Sequence, residues 1–165
     1  MAKKEIRPIR IEGNIAYVPL TQGYEAIIDA ADVPLVAERN WYLDRNQHQM
    51  YAKSDSPSRI RMHCLLLGSP PGTMVDHRDG DGLNNRRSSN LRAATRGQNA
   101  CNAKLRADST SGFKGVTLHR TSGKWQAYIN RGGQRHSLGY FETPDGAAAA
   151  YAKASPQMHG DFART

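Results

Sequence analysis

At 165 residues, the chain has room for one domain or for two small ones, because domains commonly contain about 50 to 200 residues. Hydrophobic residues make up 38% of the sequence and charged residues 23%, a composition that excludes wholesale disorder. The formal net charge of +8 makes the protein strongly basic. We therefore expect a folded protein that attracts an acidic partner.

The apolar runs and the cysteines indicate which classes of protein the sequence excludes. No stretch approaches the roughly 20 apolar residues that span a bilayer, so we expect a cytoplasmic protein without a membrane partner. Cys64 and Cys101 are the two cysteines, and they form no close pair of the kind that holds zinc. Two well-separated thiols in a cytoplasmic chain are typical of reduced core residues. The sequence thus predicts no structural zinc and no disulfide.

The positive charge is distributed unevenly along the chain. Residues 1–60 contain eight Lys and Arg against eight Asp and Glu, residues 61–111 contain eight against four, and residues 112–165 contain seven against three. An excess confined to the last two thirds favours a surface that binds nucleic-acid phosphates by counterion release. A merely solubilising surface charge is the alternative.

Residues 1–60 have the pattern of a small accessory β unit. Runs of β-branched and aromatic residues predict three strands, at 15–18, 24–28 and 50–53. A short helix is predicted between them over residues 29–38, limited by Pro34. We expect Trp41 and Tyr42 to pack in the core rather than to stack on a ligand.

The segment 61–105 carries the chemistry. From Val75 to Lys104 it reads VDHRDGDGLNNRRSSNLRAATRGQNACNAK. A strand over 73–75 delivers Asp76 and His77 to its end, and Gly80 and Gly82 then require a loop.

A second strand and a helix complete this segment. Residues 91–94 return as a strand, and a helix begins at Thr95, because Thr95 followed by Gln98 is a capping-box pattern. Asn99 then falls in the first turn of that helix, where its side chain can point back at the two strands.

This arrangement predicts one carboxylate, one imidazole and one amide oxygen at a single site. Oxygen ligands such as those of Asp76 and Asn99 suit Mg²⁺ or Mn²⁺, which also take ligands from substrate phosphate. The unperturbed pKa of histidine, near 6.5, suits His77 to accept a proton from an attacking water. Together these parts favour phosphodiester hydrolysis.

Turn chemistry is the alternative for each of these residues. An Asp-His pair in a Gly-rich loop is commonly ordinary surface, and Asn84, Asn85 and Asn90 are common loop formers. The ordered set favours function, because twelve further residues separate Asp-His from Asn90 and about eight more lead to Asn99 at a helix start.

The run strongly resembles the HNH endonucleases of phage introns and free-standing homing elements, including its strings Asn84-Asn85-Arg86 and Asn90-Leu91-Arg92. The resemblance implies a ββα-metal unit in a phage or mobile-element protein of a bacterial host. His77 would be the general base, Asp76 and Asn99 metal ligands, and Asn90 the catalytic-loop Asn that ties the loop together. Asn99 stands where many HNH enzymes have a final His, which points away from zinc. The basic residues expected to bind DNA here are Arg86, Arg87, Arg92 and Arg96.

Upstream of this run, His63 sits where the HNH enzymes have a His followed by an apolar helix. We expect His63 to have a packing role.

The polar residues 106–111 have the composition of a linker, and residues 112–165 form the last predicted domain. Three strands are predicted over 113–119, 124–130 and 134–141. Thr143 and Pro144 then begin an alanine-rich helix through residue 154, limited by Pro156. Strand alternation places Trp125 on the face that packs against this helix.

The strings Phe113-Lys114-Gly115-Val116, Gly123-Lys124-Trp125 and Leu138-Gly139-Tyr140-Phe141 resemble the Apetala/ethylene-response-factor DNA-binding domain. In that family the three-stranded sheet lies in the major groove. By position, the residues that would face DNA are Lys114, Thr117, His119, Lys124, Gln126, Tyr128, Asn130, Arg135 and Ser137. Arg120 and Arg131 lie at turns and are expected to touch phosphate. A solvated sheet face is the alternative.

The predicted fold class is α+β, with an accessory β segment at 1–60, the nuclease unit at 61–105, a linker at 106–111 and the DNA-binding domain at 112–165. The predicted function is a metal-dependent, site-directed, homing-type endonuclease that acts on double-stranded DNA as a monomer, and one active site per monomer predicts nicking. Two alternatives are a DNA-binding regulator with a non-catalytic HNH unit and an RNA-binding protein. A clear pair of RNA-stacking aromatics is missing from the sequence, which disfavours the latter.

Overall fold

A computed structural model describes residues 5–47, 49–55, 58–68 and 73–165. Over these residues the chain is a mixture of small antiparallel sheets and a few helices. It divides into two compact units, residues 1–94 and 95–165, each of which is described by itself. The functional boundaries expected from the sequence, after residues 60 and 105, stay predictions.

The first unit contains eight described strands and two short helices. They are β1 (Arg10–Glu12), β2 (Ile15–Pro19), β3 (Glu25–Asp29), α1 (Val33–Val36), β4 (Tyr42–Arg45), β5 (Met50–Ser54), β6 (Ile60–Arg61), α2 (Met62–Leu67), β7 (Met74–His77) and β8 (Leu91–Ala94). The sheet orders are β1-β2-β3, β4-β5-β6 and β7-β8, and all the pairs are antiparallel.

One apolar core joins the N-terminal strands to the strand pair β7-β8. Alternation along β2 buries Ala16 and Val18, and Trp41 is 1% exposed, with its indole N–H donating to the carbonyl of Val36 at 3.0 Å. The same core includes Leu83, which follows Asp76 and His77 along the chain, and Leu91, which directly follows Asn90. The packing role expected of Trp41 is confirmed, and the N-terminal strands support the loop that follows β7.

The second unit contains α3 (Arg96–Asn102), β9 (Val116–His119), β10 (Lys124–Arg131), β11 (Gln134–Phe141) and α4 (Pro144–His159). Its sheet has the order β11-β10-β9, and α4 packs against it. The core consists of Val116, Ala127 and Ala147, with Trp125 packed against them. Small alanines on both elements allow the helix to lie close to the sheet.

Two predicted boundaries are wrong. The alanine-rich helix continues through Pro156 to His159 instead of ending before the proline. Pro156 removes one N–H from the ladder, and this loss falls near the end of a helix whose buried side includes Ser155. The first strand of the sheet begins at Val116 rather than at residue 113, because Gly115 has a left-handed φ of 66°.

The other predicted elements are present with end shifts of one or two residues, apart from one shortened helix, whereas strands β1, β4 and β6 were not predicted. The α-helix predicted over residues 29–38 is confined to Val33–Val36 and follows a 3-10 turn at Ala30–Asp32. None of the helices described here has the length and apolar character needed to cross a membrane.

Candidate active site

Asp76 and His77 form the end of strand β7. β7 pairs with β8 so that Asp76 lies opposite Arg92 and His77 lies opposite Leu91. The two chemical groups are buried, with Asp76 4% and His77 7% exposed. Burying a carboxylate or an imidazole is unfavourable unless it is paired, so the partners of these groups define what the site can do.

Arg92 is a partner of Asp76. Its Nε donates to Oδ2 of Asp76 at 2.7 Å, and its Nη2 lies 2.6 Å from the same oxygen. Both side chains are largely buried. The guanidinium therefore compensates the carboxylate charge inside the protein. Arg92, which the sequence assigned to DNA, is directed at the predicted metal ligand.

His77 lies among polar and aromatic neighbours. Its Nε2 is 3.3 Å from Oδ1 of Asn85, and the ring of His63 meets it edge-on with the ring centroids 5.0 Å apart. The ring of Tyr51 lies 6.1 Å from it, centroid to centroid. Burial lowers the pKa of His77 below its ordinary value, although the hydrogen bond to Asn85 opposes this shift. The imidazole is therefore neutral at pH 7 and able to accept a proton.

His63 is buried beside it, as the expected packing role requires. Burial lowers the pKa of His63 to about 3, and the charge of Arg61, together with the charge that His77 carries when it is protonated, acts in the same direction. Its Nδ1 is buried and has no hydrogen-bond partner within the described part of the chain. His63 is thus held as a neutral ring against His77.

The loop after β7 is closed by side-chain amides. Asn90 is buried, its Nδ2 donates to the carboxylate of Asp79 and to the carbonyl of Asn84, and its Oδ1 accepts from the backbone N–H of Asp79 at 3.0 Å. Asn84 donates to the other oxygen of Asp79 at 2.7 Å. Asn90 therefore ties the two ends of the loop together.

Two positions in this loop require glycine for different reasons, one for its backbone conformation and the other for the absence of a side chain. Gly80 has a left-handed φ of 72°, which allows the chain to turn after His77. A Cβ on Gly82 would lie 2.2 Å from the carbonyl oxygen of Met50 and 2.7 Å from the ring of Tyr51. Gly82 thus permits the loop to pack directly on β5.

Two further arginines expected to bind DNA are engaged within the first unit. Nε of Arg86 donates to Asp29 at 3.0 Å, and Nε of Arg87 donates to Asp32 at 2.9 Å. Asp32 is 1% exposed, so its charge is compensated internally. Arg96 is exposed at the start of α3 and differs from them in this respect.

Asn99 lies in the first turn of α3, as the capping pattern requires. The Thr95 hydroxyl accepts from the N–H of Gln98, and the Gln98 side chain accepts from the N–H of Thr95. Asp76, His77 and Asn90 are brought together in the first unit, whereas Asn99 belongs to the second unit. Its placement beside Asp76 stays a prediction.

Within the second unit, the outward face of the sheet carries most of the residues expected to meet DNA. The strand registers place eight of them on one side, namely Thr117, His119, Lys124, Gln126, Tyr128, Asn130, Arg135 and Ser137. We call this set the polar sheet face. Its opposite side carries Trp125 and Ala127, which belong to the core of this unit, and the buried Ile129.

Several side chains on the polar sheet face contact one another or a residue at its margin. The guanidinium of Arg135 lies 3.9 Å above the ring of Tyr128, and Nε2 of Gln126 donates to the hydroxyl of Tyr140 at 3.3 Å. Nζ of Lys124 donates to Glu142 at 2.5 Å. Tyr140 is 51% exposed, which makes it an additional aromatic on this surface.

Three basic residues outside this face have distinct positions. Nζ of Lys114 is half-buried and donates to the carbonyl of Cys101 at 2.7 Å, so it does not join the polar sheet face. Burial lowers the pKa of Lys114. Arg120 and Arg131 are exposed at the ends of β9 and β10, as expected for turn residues.

Sequence reasoning missed three residues near these sites. For Asn85 the sequence predicts no role beyond loop formation, although the residue is fully buried against His77. Tyr140 and Glu142 flank the polar sheet face and were not selected. Asn85 could have been found by considering the amide side chains in the loop that follows His77. Tyr140 could not, because a bulge in β11 determines which face of the sheet it lies on.

In the part of the chain that the structure describes, no group of three or more His, Cys, Asp and Glu side chains is arranged to hold a metal. The predicted donor set is of another kind, since it pairs the carboxylate of Asp76 with the amide oxygen of Asn99. Hard oxygen donors of this type suit Mg²⁺, which usually keeps several waters and needs few protein ligands. The chemistry of the donors therefore fits a divalent cation of this class.

Comparison with known proteins gives two matches. A family model described as HNH endonuclease matches residues 67–101. Among curated proteins, protein 3.8 of Escherichia phage T7 is 32% identical over 95 residues, a match that covers 58% of this chain and 77% of that protein. The comparison with solved structures found none that matches.

Proposed function

We propose that this chain, which belongs to the HNH endonuclease family, is a metal-dependent endonuclease that hydrolyses phosphodiester bonds in double-stranded DNA. The observation that carries the proposal is the buried pair at the end of β7, where a neutral His77 adjoins the carboxylate of Asp76. A purely structural strand end has no need of either group. The family match at residues 67–101 includes both.

His77 is the general base of this proposal. Its neutral imidazole takes a proton from a water molecule, the water oxygen attacks the phosphorus, and the bond from phosphorus to the 3′ oxygen breaks. The leaving oxygen is protonated by solvent. Asn90 contributes by holding the loop in shape, since it hydrogen bonds to both ends of the segment that follows His77.

Asp76 and Asn99 would hold the divalent cation, Mg²⁺ or Mn²⁺. When bound, the cation supplies positive charge for the phosphate oxygens of the scissile group. Arg92 compensates the negative charge of Asp76 from within the protein, because its guanidinium contacts Oδ2 of that carboxylate. The ββα-metal arrangement, with α3 bringing Asn99 to the strand pair, is part of this proposal.

The sheet of the second unit is proposed as the DNA-targeting surface, in the manner of the Apetala/ethylene-response-factor domains. Support comes from the charge of the unit, which has ten Lys and Arg against four Asp and Glu over residues 95–165. Further support comes from the polar sheet face, which combines cations, amides and exposed aromatics. The proposed functional division, a nuclease unit at 61–105 and a targeting domain at 112–165 joined by 106–111, follows from it.

The proposed product is a nick at a chosen site, because one catalytic unit in a monomer has one general base. A homing role and a bacterial host fit the similarity to a phage protein. These finer assignments rest on the resemblance and on the single candidate site.

A plasmid-nicking assay tests the proposal. Supercoiled DNA incubated with the protein and Mg²⁺ is expected to become open-circular, and EDTA is expected to abolish this conversion. His77→Ala is the matched loss-of-function variant. DNA binding without metal-dependent cleavage would favour a regulator with a non-catalytic HNH unit.

A further inference from the structure

We propose that Asn85 is a positioning residue that fixes His77 in the tautomer with its hydrogen on Nε2, so that Nδ1 is the atom that accepts the proton. The catalytic consequence rests on the proposed function, whereas the tautomer is a property of the protein alone. Asn85 is 0% exposed, and its Oδ1 lies 3.3 Å from Nε2 of His77.

The orientation of the Asn85 amide decides the tautomer. Its other end, Nδ2, lies 3.0 Å from the carbonyl oxygen of Leu83, which can only accept a hydrogen bond. Reversing the amide would set two acceptor oxygens against each other at that distance. Oδ1 must therefore face His77, and because Oδ1 also only accepts, the hydrogen between them belongs to Nε2.

The backbone of Asn85 is held in place by strand β3. Its N–H donates to the carbonyl of Ile27 at 2.6 Å, and the N–H of Ile27 donates to the carbonyl of Leu83 at 2.8 Å. The loop is thus paired with the edge of the N-terminal sheet. Since Asn85 is fully buried, water does not compete for its amide. This pairing gives the accessory segment a specific task, which is to hold the partner of the base.

The ring of His77 is also hindered from turning over. His63 meets it with an interplanar angle of 88° and a centroid distance of 5.0 Å, and the ring of Tyr51 lies 6.1 Å from His77 and 5.2 Å from His63, centroid to centroid. A half-turn of the imidazole would exchange its nitrogens and carbons within this packed group. In the neutral ring, the lone pair consequently resides on Nδ1.

Nitrogen-15 NMR of the ¹⁵N-labelled full-length chain tests the assignment without DNA or metal. Long-range proton–nitrogen correlations distinguish a protonated ring nitrogen from a bare one, and His77→Gln identifies the signals of His77. At a pH where the imidazole is neutral, we expect Nε2 to be protonated and Nδ1 to be bare. The opposite pattern in the unmodified chain overturns the proposal, whatever the behaviour of any variant.

Asn85→Ala supplies the second measurement. We expect both nitrogens of His77 to show exchange-averaged tautomers in this variant. Asn84→Ala is the matched control, because Asn84 is the preceding residue and its Nδ2 donates to Asp79 instead. It should keep the pattern of the unmodified chain. An unchanged tautomer in Asn85→Ala would also overturn the assignment.

Cleavage separates this inference from the proposed function. We expect Asn85→Ala to slow cleavage at saturating DNA by about 10-fold or more, a part of the roughly 10²–10⁴-fold that a positioned base contributes. The dissociation constant for DNA should stay within two-fold. If the unmodified chain shows the expected tautomer but cleaves no DNA, the proposed function fails and the hydrogen-bond assignment stands.

Discussion

At the scale of single residues, the site is defined by what burial does to two adjacent histidines. His77 and His63 are both held neutral, but His77 has the amide of Asn85 at one nitrogen, whereas Nδ1 of His63 has no partner among the residues described. A neutral imidazole with a fixed partner suits proton transfer. His63 contacts His77 through the edge-on packing of their rings, so the two histidines have different expected effects when they are replaced.

Replacing His77 tests proton transfer. His77→Ala should lower the cleavage rate by roughly 10²–10⁴-fold while DNA binding changes only a few-fold, because the imidazole acts on water rather than on affinity. Single-turnover cleavage and equilibrium binding on the same duplex measure the two quantities. His136→Ala is the control, since His136 is exposed on β11 opposite Ile129 and lies outside the polar sheet face. Equal losses of binding and cleavage in His77→Ala would contradict its assigned role.

Replacing His63 tests its effect on stability. The pKa of His63 is about 3 in the folded protein, against about 6.5 for an unperturbed histidine. The unfolded chain therefore binds more protons between these values, and the contribution to stability is complete above about pH 6.5 and is lost as the pH falls towards 3. At pH 5 the loss amounts to about 2 kcal/mol.

His63→Phe should remove this part of the pH dependence while keeping a ring beside His77. Urea unfolding of both proteins at pH 7 and pH 5 gives the four free energies that are needed. The unmodified chain should lose more stability between these pH values than the variant does. Equal losses would show that His63 is not buried in its neutral form.

Sequence reasoning located the chemistry at this scale because Asp76 and His77 are adjacent and end a strand. It missed Asn85, since a buried amide and a loop amide look alike in a sequence. It assigned Arg86, Arg87 and Arg92 to DNA because a basic residue does not reveal its partner. The carboxylates that bind Arg86 and Arg87 lie 57 and 55 residues away along the chain. Pairs of this kind are set by tertiary packing.

At the scale of elements, local signals were reliable where capping or alternation determines the structure. The capping box at Thr95 begins α3, and alternation along β10 separates Trp125 from the polar sheet face. The face of β11 was less accessible from sequence. A bulge between the partners of Ala127 and Tyr128 leaves one additional residue in β11, so Ser137 and Tyr140 lie on the same side despite their odd spacing.

Gly82 tests how closely the catalytic loop must approach β5. A Cβ at this position would lie 2.2 Å from the backbone oxygen of Met50, and that oxygen cannot move without disturbing the strand. Gly82→Ala should lower the free energy of unfolding by roughly 1–3 kcal/mol, a typical cost of overpacking. Thermal or urea unfolding measures the change.

Gly97→Ala is the control for this substitution. Gly97 lies in α3, where the nearest atom to an added Cβ is 4.0 Å away. Alanine is the better helix former by roughly 0.8–1 kcal/mol, so this variant should be at least as stable as the unmodified chain. If Gly82→Ala were equally well tolerated, the loop would not pack on β5 in the manner described.

At the scale of the whole molecule, the charge is partitioned between the two units. Residues 1–94 contain thirteen Lys and Arg against eleven Asp and Glu, a net charge of +2, whereas residues 95–165 have a net charge of +6. Three basic residues of the first unit that the sequence assigned to DNA are paired with internal carboxylates. The proposed electrostatic attraction to DNA should therefore arise mainly from the second unit.

Replacing Glu142 tests the attraction to DNA through a substitution that is expected to tighten binding. Its carboxylate binds Lys124 at the margin of the polar sheet face and would lie near DNA phosphates. Glu142→Gln removes a negative charge and frees the ammonium, so binding to a mixed-sequence duplex at low salt should become several-fold tighter. Asp55→Asn is the control, because Asp55 is an exposed carboxylate paired with Arg59 in the first unit. Weaker binding by Glu142→Gln would place the DNA elsewhere.

The salt dependence of the affinity for DNA tests whether the second unit supplies the electrostatic attraction. Arg135 is exposed on the polar sheet face and lies over Tyr128. If it touches phosphate, Arg135→Ala should reduce the slope of log K against log salt by about one unit. Arg59→Ala removes the same charge from an exposed position in the first unit and should leave the slope unchanged. Binding isotherms at four or more salt concentrations on one mixed-sequence duplex supply both slopes. Equal slopes for the two variants would mean that net charge alone attracts DNA and that the polar sheet face does not dock. A smaller slope for Arg135→Ala alone would assign phosphate binding to this face.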